Sequence, residues 1–149
     1  MLRAVHDADL AIFFEHQCEP EAHRMAAIRP RERDAFMRHW RAKVLAGPSV
    51  LVRAIVVSNT VVGNILSWNE SNMRLVGYWI GREYWGRGIA TEALSAFLRE
   101  ELIRPLHAYV AIHNLASMRV LQKCGFICLE DTQVGSDGVA ERLLRLESD

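Results

Sequence analysis

Trp85-Gly86-Arg87-Gly88-Ile89-Ala90-Thr91 is the stretch of this sequence whose residue types and spacing are best suited to chemistry. Gly86, Gly88 and Ala90 remove side-chain bulk where a ligand must approach the backbone. The apolar periodicity that follows predicts a helix, whose first N–H groups lack internal partners and whose dipole puts partial positive charge at that end. Together these features make a site for an anion such as pyrophosphate. Arg87 adds a cation with forked donors. Glu83 and Glu92 flank the stretch, but none of residues 84–91 is acidic. Two familiar phosphate motifs are excluded. A dinucleotide fingerprint needs a third small residue after Gly86 and Gly88, where Thr91 stands, and a P-loop needs a Gly-Lys-Ser/Thr triplet that the chain lacks.

Elements on both sides must hold this loop in place. Residues 7–17 read as a short helix with Asp7 as its cap and Leu10, Phe13 and Phe14 on one side. Residues 31–46 read as a second helix, with Phe36, Trp40, Val44 and Leu45 at helical spacing and Gly47-Pro48 as its stop. Two β-rich runs follow, 50–57 and 61–68, and Ser58-Asn59-Thr60 between them is a hairpin signal. A third strand, 74–80, leads into the loop. Beyond it Ile89, Ala93, Leu94, Phe97, Leu98 and Leu102 mark one face of an amphipathic helix, with Pro105 past its end. Residues 107–112 read as a strand, 115–123 as a helix stopped by Gly125, and 126–130 and 140–146 as closing strands around a turn at Ser136-Asp137-Gly138. Two helices, three strands, helix, strand, helix and two strands make a mixed α/β layer architecture rather than a regular βαβ repeat.

Composition bounds the function classes. The chain has 149 residues, a common size for one domain with a sizeable core, and residues 1–149 read as a single domain with no linker or repeat. Eighteen Lys and Arg balance eighteen Asp and Glu, so no global field draws in nucleic acid or an anionic membrane. Cys18, Cys124 and Cys128 cannot all pair, and no second Cys/His cluster completes a metal site; they read as buried free thiols of a reducing cytoplasm. No apolar run approaches the roughly 20 residues that span a bilayer, and no signal-type stretch opens the chain. A soluble, cytoplasmic protein is expected.

Taken together, Gly77-Tyr78-Trp79-Ile80-Gly81, Tyr84-Trp85-Gly86-Arg87-Gly88-Ile89-Ala90-Thr91-Glu92-Ala93, then Asn114, Ser117 and Lys123-Cys124-Gly125-Phe126 resemble the GNAT superfamily of N-acetyltransferases. The likeness is greatest to the branch that acetylates the N-termini of ribosomal proteins, and it covers residues 74–128. It implies a central, mostly antiparallel mixed sheet of six to seven strands splayed at the middle, with about four helices on both faces. It also implies acetyl-coenzyme A as co-substrate, no metal, and a peptide or small-molecule amine as acceptor. The family's pyrophosphate loop, Gln/Arg-x-x-Gly-x-Gly/Ala, falls on residues 85–90, where Gly88 and Ala90 match and Trp85 replaces the Gln/Arg. Trp85, Gly86, Arg87, Gly88, Ile89, Ala90 and Thr91 would hold the pyrophosphate. The strand ending at Trp79 and Ile80 would pair its backbone with the pantetheine arm, splaying from residues 107–112, and Asn114 would hydrogen-bond the arm from the far side. Two positions depart from the pattern. The family's leaving-group tyrosine is Leu121 here, and its glutamate two residues before Gly77 is Leu75.

Transfer to an amine needs a neutral nucleophile, an oxyanion donor and a proton for the departing sulfur. A backbone N–H near Trp79 or Ile80 is the expected oxyanion donor. Ser117 is the first candidate for the proton donor, because at i, i+4 it shares a helix face with Leu121; Tyr109 is a second. Glu70, in the polar stretch ahead of the third strand, is the candidate base. Glu92 reads as a helix-start carboxylate, and His107 and His113 as hydrogen-bonded histidines flanking the fourth strand. Trp68, Tyr78, Trp79 and Tyr84 are candidates for the acceptor wall or the core.

Two other readings compete. One is a module that binds coenzyme A without turnover, favoured by Leu121 and Leu75. The other is an acetyltransferase for an antibiotic or a polyamine. The acceptor region mixes Glu15, Glu19, Glu21 and Glu32 with Arg24, Arg29, Arg31 and Arg33, which does not choose between a peptide N-terminus and a small amine. A homodimer is compatible with either.

Overall fold

The computed structural model describes residues 1–26, 30–134 and 138–148. Arg29 and the Ser136-Asp137 part of the expected turn lie outside them. Seven strands form one sheet in the order β1-β2-β3-β4-β5-β7-β6. These are β1 (Leu2–Arg3), β2 (Leu51–Val57), β3 (Thr60–Glu70), β4 (Met73–Ile80), β5 (Leu106–Ala111), β6 (Ile127–Val134) and β7 (Ala140–Leu146). Every neighbouring pair is antiparallel except β4 and β5. The helices are α1 (Asp9–Cys18), α2 (Pro20–Ala26), α3 (Arg33–His39), α4 (Ile89–Phe97) and α5 (Leu115–Lys123). The mixed α/β architecture with a mostly antiparallel, splayed sheet is as the sequence implies.

Two hairpins build the β2-β3-β4 meander. Ser58-Asn59 and Ser71-Asn72 turn them, all four with positive φ between 50° and 63°. That is the backbone of a two-residue turn matched to strand twist, and Asn tolerates it better than most residues. Strand alternation then sorts the side chains. Ile65, Val76 and Ile80 face α4 and α5, joining Ile89, Ala93, Leu94, Phe97 and Leu121 in the larger core. On the opposite face Leu10 and Phe13 of α1, with Phe36, Trp40 and Val44, cover Ala54. Tilted rings 5.0 Å apart join Phe13 to Trp40.

Several local expectations are corrected. Asp7 does not cap α1. Its carboxylate accepts from Arg41 at 3.0 Å, while Asp9 accepts the His6 N–H at 2.8 Å and pairs with Arg3. The expected helix over 31–46 is α3 followed by a wider π-helical stretch from Trp40 to Leu45, where Leu45 is exposed. α2 and the short β1, which pairs with β2, were not read from the sequence. α4 ends at Phe97, so Leu102 lies past the helix and is 69% exposed rather than on its apolar face. Of the thiols, all free, Cys18 and Cys128 are exposed and only Cys124 is half-buried. No helix among the described residues is long and apolar enough to cross a membrane.

Candidate active site

β4 and β5 run parallel but pair only at their first residues, Arg74 with Leu106 and Leu75 with His107. Beyond that point the two strands separate, and the slot between them widens toward Ile80 and Ala111. Which backbone groups face the slot follows from strand alternation. The Gly81 N–H donates to Val62 C=O at 2.8 Å, on the same register that sets Gly63 opposite Ile80. Alternate residues back along β4, Trp79, Gly77 and Leu75, therefore turn their polar groups to β3, and Ile80, Tyr78 and Val76 turn theirs toward the slot. The Ile80 C=O is met there by the Trp85 indole N–H at 2.9 Å. Thus Tyr78 N–H, Tyr78 C=O and Ile80 N–H remain to face the opening, while the Trp79 N–H expected there faces β3 instead.

A cavity of about 380 Å³ occupies the slot and extends to the start of α4. Tyr78, Trp79 and Ile80 form one wall, and Asn114, Ser117, Arg119, Val120 and Lys123 of α5 and its lead-in form the other. Tyr84, Trp85, Gly86, Gly88, Ile89, Ala90 and Thr91 continue from the β4 side. Gly86 and Gly88 have φ of +79° and +75°, and a Cβ at either would point into open space. These are left-handed conformations that glycine adopts at little cost. Gly88 is the N-cap of α4 and offers no side chain; the first helical bond runs from Glu92 N–H to Gly88 C=O. The N–H groups of Ile89, Ala90 and Thr91 are consequently open toward the cavity mouth. Among the described residues, none that lines the cavity is acidic, and Arg119 and Lys123 give it a positive rim. Backbone donors, a helix N-terminus and two cations around a glycine floor suit a phosphate-bearing ligand with an extended arm.

The structure distributes the sequence candidates unevenly. Trp79, Ile80, Trp85, Gly86, Gly88, Ile89, Ala90, Thr91, Asn114 and Ser117 are brought together around one cavity. Arg87 lies at the edge, its guanidinium 5.9 Å from the Tyr84 ring centre, and Trp85 folds back onto β4 while 40% exposed. Asn114 is already engaged: its carbonyl oxygen accepts the Ser117 N–H at 3.2 Å, capping α5, and its amide donates to Met25 C=O at 3.3 Å. Those bonds leave one amide hydrogen and one oxygen lone pair.

Glu70 is not brought to the site. It ends β3 opposite Met73, at the far end of β4 from Ile80, about 24 Å away at strand rise. Tyr109 and His107 sit on β5 without lining the cavity, and His107 is buried beside Leu75 at the closed end. Burial, with Arg145 nearby, holds the His107 ring below its ordinary pKa. His113 joins Arg24 C=O at 2.9 Å, tying α2 across the slot. Glu92 is exposed in the first turn of α4. Leu75 and Leu121 are packed in the core. Trp68 lies against Gly77, whose missing Cβ would stand 3.3 Å from its ring.

Sequence reasoning missed Arg119 and Lys123 as lining residues. Their i, i+4 spacing on a helix following Asn114 was the available signal. It also missed the contact between the hydroxyls of Tyr78 and Ser117, 2.7 Å apart, which no sequence spacing reveals.

Comparison with known proteins agrees with this geometry. The family model for the acetyltransferase (GNAT) domain matches residues 1–127. Among solved structures, the chain is similar to RimL, a ribosomal-protein alpha-N-acetyltransferase solved with coenzyme A, at 16% identity and a TM-score of 0.82, covering 99% of this chain and 93% of that one. It is similar to a spermidine N-acetyltransferase from Vibrio cholerae, solved with coenzyme A and spermine, at 14% identity and a TM-score of 0.82, covering 99% and 95%. YncA from Salmonella typhimurium, solved with acetyl-coenzyme A, shares 20% identity at a TM-score of 0.78 over 100% and 94%. These identities carry the fold alone. No curated protein sequence matches the chain. A domain model that covers most of the sequence, on a sheet that opens between β4 and β5, shows that this chain belongs to the GNAT family of acetyltransferases.

Proposed function

We propose that the protein transfers an acetyl group from acetyl-coenzyme A to a primary amine, and that residues 1–149 act as one catalytic domain. The observation that carries this reading is the continuity of the β4–β5 slot with the open N-terminus of α4. The first could take an extended pantetheine arm and the second its pyrophosphate. The residues fit the group: Gly86 and Gly88 leave space, and Ile89, Ala90 and Thr91 present N–H groups. Arg119 and Lys123 would neutralise phosphate charge, with Arg87 and Trp85 at the edge. Tyr78 would pair with the arm through its backbone N–H and C=O, as would Asn114 through its remaining amide hydrogen. Bound acetyl-coenzyme A supplies the activated acyl carbon; the chain supplies orientation, the Ile80 N–H as oxyanion donor, and Ser117 as donor to the departing sulfur.

An α-amine, as at a protein or peptide N-terminus, is the favoured acceptor class. Leu75 fills the family's glutamate position and no carboxylate lines the cavity among the described residues. A site without a base must capture the neutral amine from solution. At pH 7.5 an α-amine with pKa near ~8 is roughly 200 times more often neutral than an alkylamine near ~10.4. The positive rim also disfavours a polycation. RimL and the Vibrio cholerae enzyme bracket the two acceptor classes, and this chemistry favours the former class for this chain.

Calorimetry with acetyl-coenzyme A tests the donor site on the wild type and on Gly88→Glu. The variant places bulk and negative charge where phosphate would sit, and it should bind at least about 100-fold more weakly, some 2.7 kcal/mol. A thermal melt controls for backbone strain at a left-handed position. Rates with an alanine-terminated peptide and with spermidine then test the acceptor. No binding by the folded wild type would sink the reading, and faster acetylation of spermidine would reverse the acceptor assignment.

A further inference from the structure

Tyr78 of β4 and Ser117 of α5 reach across the slot and place their hydroxyl oxygens 2.7 Å apart. Both line the cavity. The contact bridges the two sides that the splay separates, at the level where β4 and β5 no longer pair. Either oxygen could donate, and acidity decides between them. A phenol is the stronger donor of the two, and its other acceptor, Ser117 C=O, is farther away at 3.5 Å. The phenol hydrogen therefore goes to Ser117 Oγ. The serine hydrogen is then left to turn into the cavity.

We propose that Tyr78 is a positioning residue for acyl transfer: by donating to Ser117 Oγ it fixes the serine rotamer and aims the serine O–H at the departing sulfur. This rests on the acetyl-transfer reading above. In that reaction the nitrogen–carbon bond forms and the carbon–sulfur bond breaks, its electron pair leaving on sulfur, while the proton shed by nitrogen passes to solvent. The hydroxyl pair stabilises the charge on sulfur by hydrogen bonding and gives up no proton. Burial pushes the Tyr78 phenol up to about 12, with the Ser117 bond acting against that rise. A thiol ionises near ~8.5, so the thiolate is too weak a base to take the tyrosine proton. Leu121, packed in the core, leaves the usual position for such a donor apolar. Tyr78 and Ser117 instead place two hydroxyls on the cavity.

The test compares Tyr78→Phe, Ser117→Ala and the double variant. The readouts are acetyl-coenzyme A calorimetry and steady-state rates with an alanine-terminated peptide, and with water alone as acceptor. Tyr78→Phe should lower kcat about tenfold, leave KM and Kd for acetyl-coenzyme A within twofold, and add nothing in the Ser117→Ala background. The pH profile should keep its shape, since neither hydroxyl titrates in the working range. Three results would overturn the proposal: kcat of Tyr78→Phe within twofold of wild type, a loss of affinity instead of kcat, or an undiminished effect when Ser117 is already alanine. Should Tyr78→Phe melt early, Ser117→Ala alone decides, and kcat near wild type overturns it. A wild type that binds acetyl-coenzyme A but speeds neither aminolysis nor hydrolysis removes this proposal and the transfer reading together. An active wild type with an equally active Tyr78→Phe removes this proposal only.

Discussion

The two ends of the β4–β5 pair contrast sharply although they share the same two strands. At the closed end, where Arg74 pairs with Leu106, the interior is polar and crowded. The buried Arg74 guanidinium contacts Glu101, Ser67, Asn69 and Ser49 C=O, and the Ser67 hydroxyl donates to Glu101 at 2.6 Å. At the open end, four and six residues beyond Arg74, Tyr78 and Ile80 have no partner on β5, and a cavity takes the place of that ladder. One end spends its polar groups on holding the chain, and the other leaves them free for a ligand. The lesson is that a slot of this kind needs a clamp at its root. The cluster ties the start of β4 to β3 and to Glu101, in the segment that leads into β5.

The largest expected effect breaks the closed end. Glu101→Gln leaves a buried guanidinium without its counter-charge and should cost about 3–5 kcal/mol of stability in urea unfolding. Adding Arg74→Met should recover most of that loss, because the deficit belongs to the orphaned charge and not to a missing contact. If the double variant is stable yet binds acetyl-coenzyme A normally, the clamp is dispensable for the slot and the contrast between the ends loses its functional meaning.

At the open end, reversing Arg119 or Lys123 to Glu should leave urea stability within about 0.5 kcal/mol, since both lie on the exposed side of α5. Each reversal should weaken acetyl-coenzyme A binding roughly tenfold, or about 1.4 kcal/mol, and flatten its dependence on salt. Unchanged affinity in calorimetry would remove these residues from the donor site.

The smallest effect sharpens the comparison through pH. Burial pushes the Glu101 carboxyl up, but the bonds from Ser67, Arg74 and the Ile103 N–H outweigh it and hold the group below its ordinary 4.5. A carboxyl depressed in the folded state adds stability above its unfolded pKa and loses it as pH falls through the folded one. The advantage of wild type over Glu101→Gln should therefore be constant above pH 4.5 and shrink below it. A urea midpoint difference that is independent of pH down to strong acid would show that Glu101 does not titrate with unfolding.

Much of the fold was legible because its signals are local. The alternation in 50–57, 61–68 and 74–80, the polar hairpin tips, and the helical spacing from Ile89 to Phe97 each depend on neighbours within a few residues. α2 escaped because seven residues carrying Glu, His and Arg show no apolar stripe. β1 escaped because two residues have no period at all. Leu102 misled because its helical spacing continues past Phe97, where the chain leaves the helix.

For the site, the sequence by itself determined the glycine loop and the helix start behind it. Gly86, Gly88 and the unpaired N–H groups of α4 are consequences of residue type at adjacent positions, and they would favour an anion in any fold that exposes them. Only the tertiary structure decided what meets that loop. It put Glu70 at the far end of a strand whose length alone removes it from the cavity. It turned the Ile80 N–H, not that of Trp79, toward the slot, through a register set by β3. It joined Tyr78 to Ser117 across 39 residues, and it buried Arg74 against Glu101 at the root of the slot. Pairings of this kind depend on strand register and on which strands diverge, and both are fixed by packing over the whole sheet rather than by neighbours along the chain.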